Sequence, residues 1–263
     1  MPQAVLNFVP AYVLVVFRLA GLAIYGPMFG STRIPRQVRV MLLLVLAAGI
    51  APSVPTPTIP ESTWGLALGI GGEIAFGLAM GMVLSFTFVA VQWAGEIIGQ
   101  QMGFNLGEVF DPQFGGKSSV VGDMYFMLAL VIFLMAHGAT LMIAGIVQSF
   151  KALPLLSVSV DQNLFTLLLD LFHGATVLAV QVAAPVLITM VVVDLVLGLI
   201  GRVIPQMNVM SAALSVRAWI GIVVLLVGLP QCVGVLSTAI HDSLDQANTV
   251  WATPRVAGAS STP

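Results

Sequence analysis

Apolar runs of very unequal length dominate this chain, and those lengths constrain its fold more than any motif does. Six runs emerge, at about 4–30, 38–51, 63–102, 118–150, 163–201 and 209–240. A straight transmembrane helix needs about 20 residues. The second run is short for that task, and the third and fifth are nearly twice as long. Six equal spans therefore fit poorly. The lengths predict helices that are long, broken or folded into hairpins, which lipid tolerates only where protein covers the freed backbone groups. Pro10, Pro27, Pro185 and Pro230 fall inside or at the end of apolar runs, where proline removes a backbone donor and kinks a helix.

Composition excludes a soluble domain. Hydrophobic residues make up 59% of the chain and charged residues 8%, with a mean hydropathy of +1.05. Soluble domains carry about 25% charged residues, so this chain could not cover its own surface with polar groups. The expected fold is an all-α integral membrane protein of about six long, partly broken hydrophobic helices arranged as hairpins. One polytopic membrane domain is expected over residues 1–252, followed by a short disordered tail over 253–263. The net charge is −2 and the nine basic residues are scattered, so no tract suits nucleic acid or an anionic lipid patch. Cys232 is the only cysteine; it has no internal disulfide partner and reads as a packing residue. No positive charge precedes Arg18, unlike the basic start of a cleaved signal peptide, so the first run is expected to stay in the mature protein.

Sidedness follows from the loops. Arg33, Arg36 and Arg39 cluster after the first run, whereas Ala51–Glu61 (APSVPTPTIPE) holds four prolines and no basic residue. The positive-inside rule then makes the first loop cytoplasmic and the second an extended external loop. Simple alternation would place both termini outside.

Ionisable residues within apolar runs are the first functional candidates in a membrane protein. They are Arg18, Glu73, Glu96, Asp123, Asp170, Asp194 and Arg202. Glu73 and Asp194 lie deepest, and lipid exposure of either costs about 3 kcal/mol or more, so each must face protein or water. One reading makes them a proton or ion path. The other makes them interhelical ion pairs or hydrogen bonds that fix packing, with Arg18 a candidate partner. His137, His173 and His241 lack ligand spacing, so no metal site is expected. No nucleophile motif, phosphate loop or paired-carboxylate arrangement occurs, which argues against an enzyme and implies no cofactor.

Small residues recur in the third run as Gly65/Gly69, Gly77/Gly81 and a ladder of Gly95, Gly99, Gly103 and Gly107. Such pairs let membrane helices approach closely. Several in succession imply contacts on more than one side, hence a multi-subunit assembly. Met80, Met82 and Met102 read as gap-filling residues. Beyond the ladder, Asp111-Pro112 ends any helix, and Phe104, Phe110 and Phe114 crowd the loop. Two readings stand: a close-packed helix ending in a movable obstruction, or ordinary packing followed by an ordinary surface loop.

The passage GEIIGQQMGFNLGEVFDPQFG resembles the central segment of the FliR family of bacterial flagellar export-gate proteins, which have type III secretion counterparts. Further matches follow in the same order: Arg18 with Pro27, Ile34-Pro35 with Arg39, Ala51-Pro52, Ser149-Phe150 with Leu153-Pro154, and Leu197-Gly198-Leu199-Ile200-Gly201-Arg202 leading to Pro205-Gln206-Met207-Asn208. The resemblance spans roughly residues 10–240. There are two departures. His137-Gly138-Ala139 stands where the family often has Asn-Gly-His, so no role is carried over to His137. Val209–Ser215 stands where the family usually has an aromatic residue and a Gly-x-Pro turn.

The resemblance implies an inner-membrane subunit of the flagellar export gate in the basal body. One copy would join several FliP-like and FliQ-like membrane subunits, with an FlhB-like protein associated. Unfolded flagellar subunits would pass through the centre, driven by proton-motive force. The family's plug loop matches Gly103–Gly116, which would give Phe104, Leu106, Val109, Phe110 and Phe114 the role of an apolar stopper. Relatives fused at this C-terminus to FlhB imply a cytoplasmic tail, opposite to the placement by alternation. The chemistry is consistent with a gate, since an apolar constriction can close by dewetting and glycine-rich flanks let a loop move. The competing reading is a secondary transporter or small-solute channel with Glu73 and Asp194 as its coupling pair.

Overall fold

The computed structural model describes residues 2–26, 35–55, 62–104, 119–156, 162–203 and 209–252, and all regular structure among them is helical. The elements are α1 (Pro2–Tyr25), α2 (Arg36–Ile50), a 3₁₀ turn (Ala51–Ser53), α3 (Thr63–Met102), α4 (Val120–Met135), α5 (Gly138–Ala152), α6 (Gln162–Val203) and α7 (Val209–Ala252). Among the described residues, five helical segments are long and apolar enough to cross a membrane, or six if α4 and α5 form one broken span. The chain is thus an all-helical protein with the long apolar helices expected of an integral membrane protein.

The unequal run lengths become unequal helices. α3 has 40 residues, α6 has 42 and α7 has 44. At 1.5 Å per residue each is about 60 Å long, roughly twice the hydrocarbon core of a bilayer. The fourth run is the broken one. α4 ends at Met135 and α5 starts at Gly138, and His137 between them takes the left-handed region at φ 55°. Pro10, Pro185 and Pro230 stay inside helices. Next to Pro185, the Thr189 hydroxyl donates to the Pro185 carbonyl at 2.8 Å.

The residues group into two compact units: Met1–Ser85 with His137–Leu171 and Asp242–Pro263, and Phe86–Ala136 with Phe172–His241. In the first, α1 and α3 meet backbone to backbone. A Cβ at Gly77 would collide with the Arg18 carbonyl, one at Gly21 with the Ile74 carbonyl, and one at Gly81 would come within 2.7 Å of the Leu22 carbonyl. The Gly77/Gly81 pair is therefore the groove that admits α1. In the second unit the same chemistry joins α3 to α4: a Cβ at Gly95 would lie 2.5 Å from the Gly122 Cα. Phe88 packs on Phe126 and Phe133, with ring centroids 5.8 and 5.6 Å apart. Ser119 caps α4, its hydroxyl accepting from the Gly122 N–H at 3.4 Å.

This packing separates two kinds of glycine. Gly77→Ala should lower stability by about 1–3 kcal/mol, because the overlapping atom is backbone and cannot swing aside. Gly49→Ala in α2 meets nothing within 4 Å, and should be neutral or stabilising by about 0.5–1 kcal/mol. Thermal unfolding of the two variants in detergent measures the contrast, and equal melting temperatures would contradict the proposed helix contact.

Candidate functional site

The first unit holds a buried charge cluster assembled from three helices. Arg18 projects from α1 and Glu73 from α3, with 1% and 0% of their side chains exposed. The Arg18 Nε donates to Glu73 Oε2 at 2.5 Å. Nη1 donates to the Ser149 hydroxyl at 3.4 Å and Nη2 to the Leu153 carbonyl at 3.3 Å. Ser149 can accept there because its own proton is directed to the Ile146 carbonyl at 2.7 Å. The guanidinium carbon also lies over two aromatic rings, 5.0 Å from the Phe76 centroid and 4.3 Å from the Phe150 centroid. Both distances suit cation–π attraction, which is strongest when water is excluded. The second oxygen of Glu73, Oε1, accepts from the Leu156 N–H at 2.9 Å. Each guanidinium nitrogen and each carboxylate oxygen thus has at least one partner, the condition under which a buried pair is tolerated.

Local sequence explains the geometry. Phe76 follows Glu73 by three residues, so both lie on one face of α3. Ser149 and Phe150 occupy the last turn of α5, and Leu153 is the residue that caps it. The segment Ser149-Phe150 with Leu153-Pro154, met in the sequence as part of a family pattern, is here the lining of the Arg18 site.

The second unit pairs Asp194 on α6 with Arg217 on α7 at 2.6 Å. These side chains are 41% and 38% exposed, in contrast to the first pair, and Arg217 Nε has no hydrogen-bond partner among the described residues. Sequence reading singled out Asp194 and Arg202 and missed Arg217. A signal was available: Asp194 stands nine residues before the last of α6 and Arg217 eight after the first of α7, so an antiparallel hairpin brings them level. Arg202 lies exposed in the last turn of α6, where a positive charge suits the helix C-terminus. Among the described residues no group of three or more His, Cys, Asp or Glu could hold a metal. Cys232 is buried, its sulfur 3.5 Å from the Tyr125 hydroxyl.

The glycine ladder divides by role. Gly95 packs against Gly122 and Gly99 is buried. Gly103 ends the helix: at φ 79° it takes the left-handed position, its N–H donating to the Gln100 carbonyl and the Phe104 N–H to the Gly99 carbonyl, both at 3.0 Å. That reciprocal pair is a Schellman motif, which glycine forms without steric cost. Phe104 follows it, 44% exposed. Gly107, Leu106, Val109, Phe110 and Phe114 lie outside the described residues.

Comparison with known proteins decides the family. The sequence model of "Bacterial export proteins, family 1" matches residues 9–243. The chain belongs to this family. Among similar members, the flagellar biosynthetic protein FliR of Bacillus subtilis (strain 168) is 28% identical over 91% of this chain and 92% of its own length. The FliR of Escherichia coli (strain K12) is 29% identical over 82% of this chain and 83% of its own. The surface presentation of antigens protein SpaR of Shigella flexneri is 28% identical over 81% and 82%. The match to this family takes in Arg18, Glu73, Ser149, Asp194 and Arg217 alike.

The buried pair makes a sharp double-mutant forecast. Arg18→Leu or Glu73→Leu alone strands one buried charge and should cost about 3–5 kcal/mol. The double variant removes both charges and should lie closer to wild type than either single one. Melting temperatures of the four proteins read this coupling, and additive losses would show that the two side chains do not interact.

Proposed function

We propose that this chain is a multi-pass subunit of a flagellar or type III protein-export apparatus in the bacterial inner membrane, where it borders and closes the path of unfolded exported proteins. The family match over residues 9–243 carries this reading. It is supported by relatives named both for flagellar biosynthesis and for surface presentation of antigens. Long helices whose apolar side chains remain exposed on α6 and α7, including Val191, Leu195, Leu226 and Val227, suit a subunit that works among other membrane chains and lipid. FliP-like and FliQ-like subunits and an FlhB-like protein are the partners we assign to it.

Closure we assign to Gly103–Gly116. The support lies at its start, where the Schellman turn at Gly103 stops α3 and sends the chain off through an exposed Phe104. From there Leu106, Val109, Phe110 and Phe114 would form the apolar stopper, since an apolar constriction excludes water and ions at little cost in polar contacts. The transporter reading finds less support. Glu73 is bonded to Arg18 and to the Leu156 N–H, and Asp194 Oδ1 lies 2.6 Å from Arg217 Nη2, so each carboxylate is set against a guanidinium, as in a structural ion pair.

Two measurements test the reading. Deleting the gene should abolish export of flagellar or secreted subunits, and continued export would refute membership in the apparatus. Removing Val109–Phe114, or converting Val109, Phe110 and Phe114 to Ala, should leave the complex assembled but raise its ion conductance. Unchanged conductance of the assembled complex would falsify the plug while leaving the export role standing.

A further inference from the structure

Two features of the first unit remain unused by the reading above, and they occur together. His137 at φ 55° and Leu156 at φ 66° are the only non-glycine residues with positive φ among the described residues. For a residue with a Cβ that conformation costs about 1–2 kcal/mol, and such strain persists only where surrounding contacts enforce it. The two residues bracket one segment, α5 with the turn that follows it. The contacts that enforce its position converge on the Arg18–Glu73 pair. Arg18 holds Ser149 and the Leu153 carbonyl, Phe150 lies over the guanidinium, and Glu73 holds the N–H of Leu156 itself. The Leu156 side chain enters a notch that exists because residue 69 is glycine; a Cβ there would collide with Leu156 Cδ2.

From this arrangement we propose that residues 138–156 form a strap, hinged at His137 and Leu156 and latched to the buried Arg18–Glu73 pair, that undocks and redocks as one piece during the working cycle. The ion pair itself joins α1 to α3 directly, through a 2.5 Å contact to which the strap contributes no atom. What the strap supplies is the remaining set of partners: one hydroxyl, one carbonyl, one N–H and one ring. Undocking relieves backbone strain of about 1–2 kcal/mol at Leu156 and loses those four contacts together with the burial of Met142, Ile146 and Phe150. The docked state therefore dominates, and the undocked one is a minor state that the cycle draws on. The latch stands on the geometry alone; its cycling rests on the export reading.

The notch also provides the test. A Cβ built on Gly69 lies 3.6 Å from the Leu156 Cβ, within the range of about 3.5–4.5 Å that a disulfide spans. In a Cys232→Ala background, the pair Gly69→Cys with Leu156→Cys should cross-link readily on mild oxidation in membranes containing the whole complex. Failure to cross-link would overturn the docked strap. Locking it should reduce export several-fold relative to the same double-cysteine protein kept reduced, and reductant should restore it. A merely structural turn would tolerate the lock, so undiminished export in the cross-linked protein would overturn the cycling. A second measurement is independent of export. Leu156→Cys should react slowly with a maleimide, and about tenfold faster when Glu73→Gln or Gly69→Val weakens the latch. Equal labelling in all backgrounds would overturn the latch itself. Should the Glu73 variant fail to accumulate, Gly69→Val, which leaves both charges in place, decides the matter alone. Export that persists without the gene would remove the export reading but leave the labelling result as a test of the latch.

Discussion

Arg18 and Glu73 set the terms for the first unit. Two opposite charges, both almost wholly buried, can sit inside an apolar bundle only if their helices lie close enough for direct contact and every remaining donor or acceptor finds a partner. The first condition calls for glycine at positions 21, 77 and 81, where any larger residue would push α1 off α3. The second requires Ser149 and the Leu153 carbonyl to arrive from α5, and the Leu156 N–H to be turned inward. Helix crossing, glycine placement and the left-handed backbone at Leu156 are thus linked consequences of one buried pair.

A contrast with the second unit shows what burial changes. Asp194 and Arg217 make a contact of similar length, yet both are substantially exposed on helices whose outer faces are apolar. An exposed pair gains little in water and is costly to leave facing lipid. The first pair organises its own unit, whereas the second leaves polar capacity, such as Arg217 Nε, unspent among the described residues. In a chain of the export family, that difference separates a charge pair committed to internal architecture from one set on an outward face.

Glycine serves three separate purposes along α3, although the ladder looks uniform on paper. At Gly77 and Gly95 it admits a neighbouring backbone, at Gly69 it makes room for a leucine side chain, and at Gly103 it allows the left-handed residue that ends the helix. Periodicity alone does not distinguish these uses. Spacing by four puts residues on one helical face, but whether that face meets backbone, side chain or the end of its own helix depends on what packs there.

Sequence by itself determined the class and the helices. Hydropathy is a local property, so the run at 63–102 appears as α3 with the same limits, and the extreme composition admits only a membrane protein. The depth of Glu73 and Asp194 in their runs was legible too, because a charge amid apolar residues is visible without any fold. Arg18 could be named as a candidate partner, but not which acid it meets, and Arg217 was not named at all. Arg18 and Glu73 are 55 residues apart, and only the crossing of α1 with α3 brings them together, while Asp194 takes Arg217 because its hairpin sets them level. The break at His137 escaped the sequence for a related reason: neither proline nor glycine occupies that position, and its left-handed backbone is held by structure around it. Local chemistry decides which segments become helices; long-range packing decides which polar groups end up sharing one buried site.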